Sequence, residues 1–536
     1  MAFRIFRPLV IAWFSLLLVA SIDAQSAKPP ASTGAYQQAE ILVKAHHWDE
    51  GLSLLQPLLR KNPQDLKALN LAGLAYTGKG DLRGANDYFQ KALRIRPDFV
   101  PALKNMGVNE YTLRDYVSSE KHLNLVLRQL PEDPVANLYA GEIAYTQGRF
   151  KQAAEELGRA PAFTSRNSTL AAHLGISLAN SGDSRGLDLL RRMQPGDVSP
   201  ETSFSIGLSF ARADRPEDAV PFFESLHNEF PSSYTIGFNL LVCYLGAKKS
   251  AEAISLGEDL IRTNHDTDEV ESVLAQAFEQ SGNTPKAVDA LRRAIELAPE
   301  NENNYLDFAN LCIDHRDLDN GLKVIGVGLK VIPDSSRLMF ERGVLYAMQD
   351  RFELAEQDFQ RSARLAPESD FGYVGMGVQY LETGNAAKAI EILRQRLVAH
   401  PDDASLLYLL GEALMRGGAQ PGTKRYAEAQ AAFEHSIRAN PGLCLPHVAL
   451  GDIYVEEERY KDAISQLEKA RAIDPKEKSV YWHLAVAYRK VGRTDNAKQA
   501  LTDLKNIYQQ EQGWLQNRMK PQDSRSVGMP KASSDQ

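Results

Sequence analysis

A small residue recurs at a nearly constant interval along most of this chain. Glycine or alanine stands at thirteen of fourteen positions, which are 34 residues apart except for one interval of 32 and one of 40. The positions are Ala39, Gly73, Gly107, Gly141, Gly175, Gly207, Leu241, Ala275, Ala309, Gly343, Gly377, Gly411, Gly451 and Ala485. Such an interval is typical of an array of units that each pack on their neighbours.

Each interval contains two predicted helices. In the unit around Gly73, apolar residues follow helical spacing over residues 70–76, a turn follows at 78–81, and the same spacing resumes over 85–93. A second small residue usually stands twelve positions after the first, and a proline follows the second helix in ten of the fourteen units. Small residues let two helix backbones approach closely. The sequence therefore predicts consecutive pairs of packed helices.

This pattern resembles the tetratricopeptide repeat family. In the unit around Gly451 the spacing of that family is matched by Tyr454, Ala463, Leu467, Ala470 and Pro475. The resemblance covers residues 32–511. It implies an all-α fold, a right-handed superhelical solenoid of about fourteen antiparallel helix pairs, whose first helices line a concave groove.

Two units and the C-terminal region depart from the pattern. The unit around Gly175 is two residues short and is followed by Pro195 and Pro200, which predicts a bend near residues 193–200. The unit around Gly411 contains an inserted loop over residues 417–425. We expect altered curvature at both places. Residues 512–536 predict a C-terminal cap followed by a polar, disordered tail.

The first 24 residues predict an export signal. Arg4 and Arg7 precede an apolar run over residues 9–20, and Ala24 precedes a cleavage site at Gln25, with a linker over residues 25–31. The run is shorter than the roughly 20 residues that a membrane-spanning helix needs. We therefore expect an exported protein, periplasmic or secreted. The alternative is a protein anchored in the membrane by residues 9–22.

The charge of the chain argues against a general nucleic-acid-binding protein, and its cysteine content argues against a protein held together by disulfides or by a cysteine metal site. The chain has 61 Lys and Arg against 69 Asp and Glu, so its net charge is -8 and it has no overall positive field for nucleic acid phosphates. Its three cysteines, Cys243, Cys312 and Cys444, lie on predicted helices and are too few and too far apart for a disulfide framework or a metal site. We expect them to be small buried side chains.

Catalytic motifs are absent from the sequence. Residues 73–80 imitate a phosphate loop, but Gly80 replaces the Ser or Thr that would bind magnesium. The eleven histidines show no metal-binding spacing, and the 25 residues after the repeats are too few to bury a catalytic core. The sequence predicts a protein that is not an enzyme and has no cofactor, no metal and no small-molecule substrate.

The resemblance also implies which residues line the groove, namely those three positions before and one after the small residue. Four residues after Lys104 stands Val108 rather than a residue with an amide side chain, so the clamp with which some family members bind a partner's carboxylates is not reproduced. Two stretches of the implied groove are strongly apolar. The candidate peptide-binding residues are Phe204, Leu208, Phe238, Val242 and Leu245 in the first stretch, and Phe340, Val344, Phe371, Val374, Val378 and Leu381 in the second.

These stretches have three possible roles. They can pack on neighbouring helices, bind an amphipathic helix or extended apolar peptide, or mediate self-association. We expect an exported, non-catalytic scaffold that binds a protein or peptide partner, by analogy within envelope assembly or polymer export. The alternative is a regulatory or substrate-delivery subunit of a separate envelope enzyme or polymer-export complex.

Overall fold

The computed structural model describes residues 34–518 of the chain and the side chains of residues 34–509. The predicted signal, the predicted linker over residues 25–31 and the predicted tail beyond residue 518 lie outside this range. The described residues form 29 α-helices and one short 3-10 helix, with no β-strand among them. The predicted all-α fold is therefore confirmed.

The described residues divide into two compact units, one ending at Ala247 and the other beginning at Lys248. The helices of the first unit are α1 (Ala35–Lys44), α2 (Trp48–Lys61), α3 (Leu66–Gly78), α4 (Leu82–Ile95), α5 (Val100–Thr112), α6 (Tyr116–Gln129), α7 (Pro134–Thr146), α8 (Phe150–Gly158), α9 (Pro161–Thr164), α10 (Ser168–Asn180), α11 (Arg185–Leu190), α12 (Pro200–Arg212), α13 (Pro216–Glu229) and α14 (Tyr234–Gly246). The helices of the second unit are α15 (Ser250–Arg262), α16 (Asp268–Gln280), α17 (Thr284–Leu297), α18 (Glu302–Asp314), α19 (Leu318–Val331), α20 (Ser336–Met348), α21 (Phe352–Leu365), α22 (Phe371–Glu382), α23 (Ala386–Ala399), α24 (Ala404–Arg416), α25 (Lys424–Ala439), α26 (Cys444–Glu456), α27 (Tyr460–Ile473), α28 (Lys478–Lys490) and α29 (Thr494–Arg518).

The small residues of the repeat pack against large side chains. All fourteen repeat positions, including that of Leu241, lie in the first helix of a pair. A Cβ added at Gly73 would come within 2.4 Å of the Phe89 ring in the second helix. A Cβ at Gly451 would likewise come within 2.6 Å of Leu467. Phe89 and Leu467 are both 0% exposed, so neither has room to move away. Close packing of this kind requires a small residue at the repeat position in the first helix.

The turn inside each helix pair is also regular. The residue seven positions after the small residue has a positive φ in all fourteen repeats. Seven of these residues are glycines, and the others are His46, Arg114, Asp214, Lys248, Arg316, Asp350 and Glu458. A left-handed residue at this place satisfies the last carbonyls of the first helix and reverses the chain. Sequence reasoning missed this position because half of its residues are not glycine.

Side-chain caps fix the start of many second helices. Asp81, Asp115, Asn283, Asp317 and Asn385 each accept a hydrogen bond from the backbone N–H three residues later. Such a cap satisfies a backbone donor that has no partner inside the helix. The second helix therefore begins at a defined residue, directly after the left-handed turn.

The described helices are irregular at a few places. α11 is short and is followed by the 3-10 helix Pro195–Asp197, which lies within residues 193–200, where a bend is predicted. The break between α8 and the four-residue helix α9 was not predicted. The inserted loop ends at Thr423, two residues earlier than predicted, because the Thr423 side chain caps α25. α29 continues through the boundary predicted at residues 511 and 512. The altered curvature stays a prediction.

All three cysteines have free thiols, and the burial of two is confirmed. Cys243 and Cys312 are buried, while Cys444 is half-buried and donates its thiol hydrogen to the carbonyl oxygen of Ala470. Burial raises the pKa of the Cys243 thiol to about 11 and that of Cys312 to about 12. Thiols with such pKa values stay protonated and unreactive at neutral pH.

Candidate functional site

The first helices of the second unit form a continuous strip from α16 to α28. In the second unit α20 contacts α22, α22 contacts α24, α24 contacts α26 and α26 contacts α28, whereas no described second helix contacts another second helix to a comparable extent. The strip presents the residues six, three and two positions before the small residue and one and five positions after it. These five positions fall within a sector of about 100° on an α-helix. We call this sector of α20, α22, α24, α26 and α28 the first-helix face.

The first apolar stretch, in the first unit, lies mostly against other side chains. The rings of Phe204 and Phe223 pack edge to face at 5.6 Å, and Phe238 stacks on Tyr234 at 5.7 Å. Phe204, Leu208, Phe238 and Leu245 are half-buried. Val242 is the most open of the predicted residues here, at 42% exposed. Packing between helices therefore occupies much of this stretch.

The second apolar stretch, in the second unit, is more open to solvent. Phe340 packs against the Phe359 ring in the core and against the Phe371 ring, at 5.6 Å in each case. Phe340, Val344 and Val374 are half-buried. Phe371 and Val378, however, are 54% and 43% exposed. The stretch thus joins the hydrophobic core to an exposed apolar surface.

Leu381 does not belong to this surface, contrary to the sequence-based prediction. It is 6% exposed and is part of the hydrophobic core of the second unit. Leu381 lies four positions after Gly377, about 60° around the helix from Val378, and so it faces the second helices. Leu381 and Val378 are both apolar, and only their angular positions on α22 distinguish the buried residue from the exposed one.

Three exposed apolar residues on the first-helix face lie outside the two predicted apolar stretches. Met348, Leu445 and Trp482 are 48%, 44% and 57% exposed. Trp482 stands three positions before Ala485, a position that the repeat register does assign to the groove. Leu445 stands six positions before Gly451, as Phe371 does before Gly377, whereas Met348 stands five positions after Gly343, at a position that the prediction did not use. We call Met348, Phe371, Val378, Leu445 and Trp482 the apolar patch.

Acidic side chains border the apolar patch. Over α20, α22, α24, α26 and α28 the first-helix face carries five carboxylates, two guanidinium groups and one ammonium group, which are Glu341, Glu382, Glu412, Asp452, Glu456, Arg337, Arg416 and Lys490. The Lys490 ammonium lies over the Tyr460 ring, 5.8 Å from its centroid. Both arginines are already paired within the described structure. Arg337 lies 2.9 Å from Glu302, and Arg416 lies 3.4 Å from Glu382 and 3.7 Å from Glu412. The face therefore has an excess of negative charge.

The negative charges of two of the bordering carboxylates are balanced poorly or not at all by nearby cations. Glu341 forms no hydrogen bond or ion pair with the described residues, and burial raises the pKa of its carboxyl group. Burial also raises the pKa of Glu412, Arg416 lowers it, and the negative charge of Asp452 raises it further. The Oδ1 atom of Asp452 lies 3.1 Å from Nδ1 of His483. Both groups would be stabilised as carboxylates by another cation nearby.

The described residues offer no arrangement that suggests catalysis by a bound metal. Between residues 34 and 518 no group of three or more His, Cys, Asp or Glu side chains could hold a metal ion. Among the described helices, none combines the length and the apolar character that a bilayer crossing requires.

Comparison with protein families identifies the repeat. Models described as tetratricopeptide repeat match residues 36–98, 105–166, 273–301, 306–370, 375–443 and 454–516, together about two thirds of the chain. The chain therefore belongs to the tetratricopeptide repeat family.

Several curated proteins are similar to parts of this chain. The TPR repeat-containing protein YpiA of Bacillus subtilis is 25% identical over 43% of this chain and 53% of its own length. The BBSome complex member BBS4 homolog of Drosophila melanogaster is 25% identical over 32% of this chain and 36% of its own length. The human protein O-mannosyl-transferase TMTC3 is 21% identical over 83% of this chain and 43% of its own length. The chain thus spans about half or less of the curated relatives that it matches.

Solved structures also resemble the chain. The crystal structure of yeast Tom70 has a TM-score of 0.38 and 15% identity, and covers 89% of this chain and 96% of its own. The APC/C hetero-tetramer Cut9-Hcn1 has a TM-score of 0.34 and 12% identity, and covers 84% of this chain and 95% of its own. With TM-scores this low, the two likenesses add nothing to the family assignment.

Proposed function

We propose that this protein is an exported, non-catalytic scaffold that binds a protein or peptide segment on its first-helix face. The observation that carries the proposal is the apolar patch, in which five side chains between 43% and 57% exposed lie on the first helices α20, α22, α26 and α28 of the second unit. An aromatic side chain buries 150 to 250 Å² when it packs, so the patch is costly to leave in water. Stacked helical repeats commonly bind partners through such extended surfaces.

Two observations support a non-catalytic role. The described residues contain no metal-binding group of His, Cys, Asp or Glu, and burial keeps the Cys243 and Cys312 thiols protonated. The relative named a transferase is matched over 43% of its own length, so its activity belongs to a protein more than twice as long as the matched part.

Export is proposed from residues 1–24, which lie outside the described structure. The expected result is a mature protein that begins at Gln25, because a basic start followed by a twelve-residue apolar run favours cleavage over anchoring. Mass spectrometry of the N-terminus after expression in the native host would measure this. An intact Met1 recovered from the membrane fraction would favour the anchor at residues 9–22 instead.

Binding on the first-helix face can be tested with Phe371→Asp/Trp482→Asp. Peptides are first selected against the full mature chain from a displayed random library, and their affinities are then measured by fluorescence anisotropy. We expect the variant to bind the selected peptides about tenfold more weakly or worse, because two exposed aromatic contacts become charged. Circular dichroism would verify that the variant is folded. If Phe371→Asp perturbs its contact with Phe340, Trp482→Asp alone tests the same surface.

The matched control is Val331→Asp/Val398→Asp. Both valines are exposed, at 44% and 85%, and lie on the second helices α19 and α23. This variant makes the same change in charge away from the first-helix face, and its affinity should stay within about twofold of the wild type. Equal affinities for both variants would contradict the proposal. A dimer that Phe371→Asp/Trp482→Asp dissociates in sedimentation velocity would assign the patch to self-association.

A further inference from the structure

The chemistry of the partner follows from the charge around the apolar patch, provided that the proposed binding on the first-helix face is correct. We infer that the patch binds an amphipathic protein segment whose Lys or Arg side chains lie beside its apolar ones. Three features of the described residues lead to this partner: the excess of carboxylates over cations on the face, the absence of an ion pair at Glu341 among the described residues, and the exposed Trp482 ring.

The carboxylates lie among the apolar residues of the patch. Glu341 follows Phe340, which contacts Phe371, and Glu382 lies four residues after Val378. Glu412 stands on α24, between the helices that carry Val378 and Leu445. A ligand that covers the patch would therefore remove water from these carboxylates too. Burying a carboxylate without a cation costs far more than burying an apolar group, so a ligand that lacks cations is disfavoured.

The protein's own cations do not neutralise this face. Arg416 is shared between Glu382 and Glu412, and its distances to them, 3.4 and 3.7 Å, are long for hydrogen-bonded ion pairs. Glu341 has no cation within ion-pair distance in the described structure. A Lys or Arg brought by a partner would find an unpaired acceptor at Glu341 and a weakly paired one at Glu412, in surroundings less polar than water.

The shape of a basic amphipathic segment also suits the patch. Lys and Arg side chains cover apolar surface with their methylene stems while the charged end reaches an acceptor. The Trp482 ring is 57% exposed, and an indole face attracts cations. An acidic peptide would instead place like charges beside Glu341, Glu412 and Asp452. The face therefore discriminates against acidic segments by repulsion as well as favouring basic ones.

The inference can be tested with two synthetic peptides of identical apolar pattern. Both are amphipathic helices of leucine with one kind of charged residue, lysine in one and glutamate in the other. We expect the full mature chain to bind the lysine peptide at least about tenfold more tightly, with an affinity that falls as salt is added. Equal affinity, a preference for the glutamate peptide, or no binding of the lysine peptide up to about 1 mM would overturn the inference.

Two variants separate local charge from the overall charge of the protein. Glu341→Gln/Glu412→Gln should weaken the lysine peptide about fivefold or more. Glu353→Gln/Glu391→Gln removes the same charge from exposed positions on the second helices α21 and α23, and should change the affinity less than about twofold. Equal losses in both variants would show a nonspecific attraction and would overturn the inference.

The same peptides distinguish failure of this inference from failure of the proposed function. If both peptides bind equally and Phe371→Asp/Trp482→Asp weakens both, the patch is a binding surface without the inferred charge preference. If Phe371→Asp/Trp482→Asp leaves both affinities unchanged, binding on the first-helix face fails as well.

Discussion

Replacing Arg342 with methionine is expected to lower the free energy of unfolding by about 3 to 5 kcal/mol. The Arg342 guanidinium on α20 donates from Nε and Nη2 to the two carboxylate oxygens of Asp358 on α21, both at 2.7 Å. Asp358 is only 5% exposed. Methionine keeps most of the apolar length of the side chain but leaves a buried carboxylate without a partner. Urea denaturation followed by circular dichroism would measure the loss.

The double variant Arg342→Met/Asp358→Leu is the control for this explanation. Replacing both charges by apolar groups of similar size removes the unpaired carboxylate, so we expect most of the lost stability to return. Amide hydrogen exchange should show that Arg342→Met loses protection first in α20 and α21, because repeat proteins open locally. A single variant within about 1 kcal/mol of wild type, or a double variant no more stable than the single one, would contradict the role of the pair.

The helix pairs could be predicted from the sequence because their cause is local and steric. A small residue and a large residue in the second helix meet in one repeat after another, as at Gly73 and Phe89 and at Gly451 and Leu467. Fourteen copies of one pattern identify the helix pairs even where single copies deviate, as at Leu241. The break between α8 and α9 escaped prediction because it occurs in one repeat only.

The candidate site could be predicted only in part. The repeat register placed Phe371, Val378 and Leu381 together, but the exposure of each depends on angular differences that an apolar letter does not reveal. The acidic border escaped prediction for another reason. A carboxylate such as Glu341 looks like any surface residue until the cations around it are placed. The pairing of Arg416 on α24 with Glu382 on α22 joins neighbouring first helices, and sequence periodicity does not specify such a contact.

A second large loss of stability is expected for Gly411→Leu, of about 3 kcal/mol or more. A Cβ at Gly411 would come within 2.4 Å of the Phe433 ring, which is 1% exposed and lies in the core of the second unit. A leucine cannot fit unless α24 and α25 move apart. Urea denaturation and the loss of amide protection in α24 and α25 would measure the effect.

Gly326→Ala is the matched control, because Gly326 also lies inside a helix, α19, but a Cβ there would meet nothing within 4 Å. That change should be neutral or stabilise the protein by up to about 1 kcal/mol, since alanine favours helices over glycine. A double-mutant cycle locates the cause. Phe433→Ala should itself be destabilising, yet Gly411→Leu combined with it should cost at least about 1 kcal/mol less than the sum of the single changes. Additive losses would mean that the size of the residue at 411 is not limited by Phe433. The steric basis of the repeat would then have to lie in other contacts of α24.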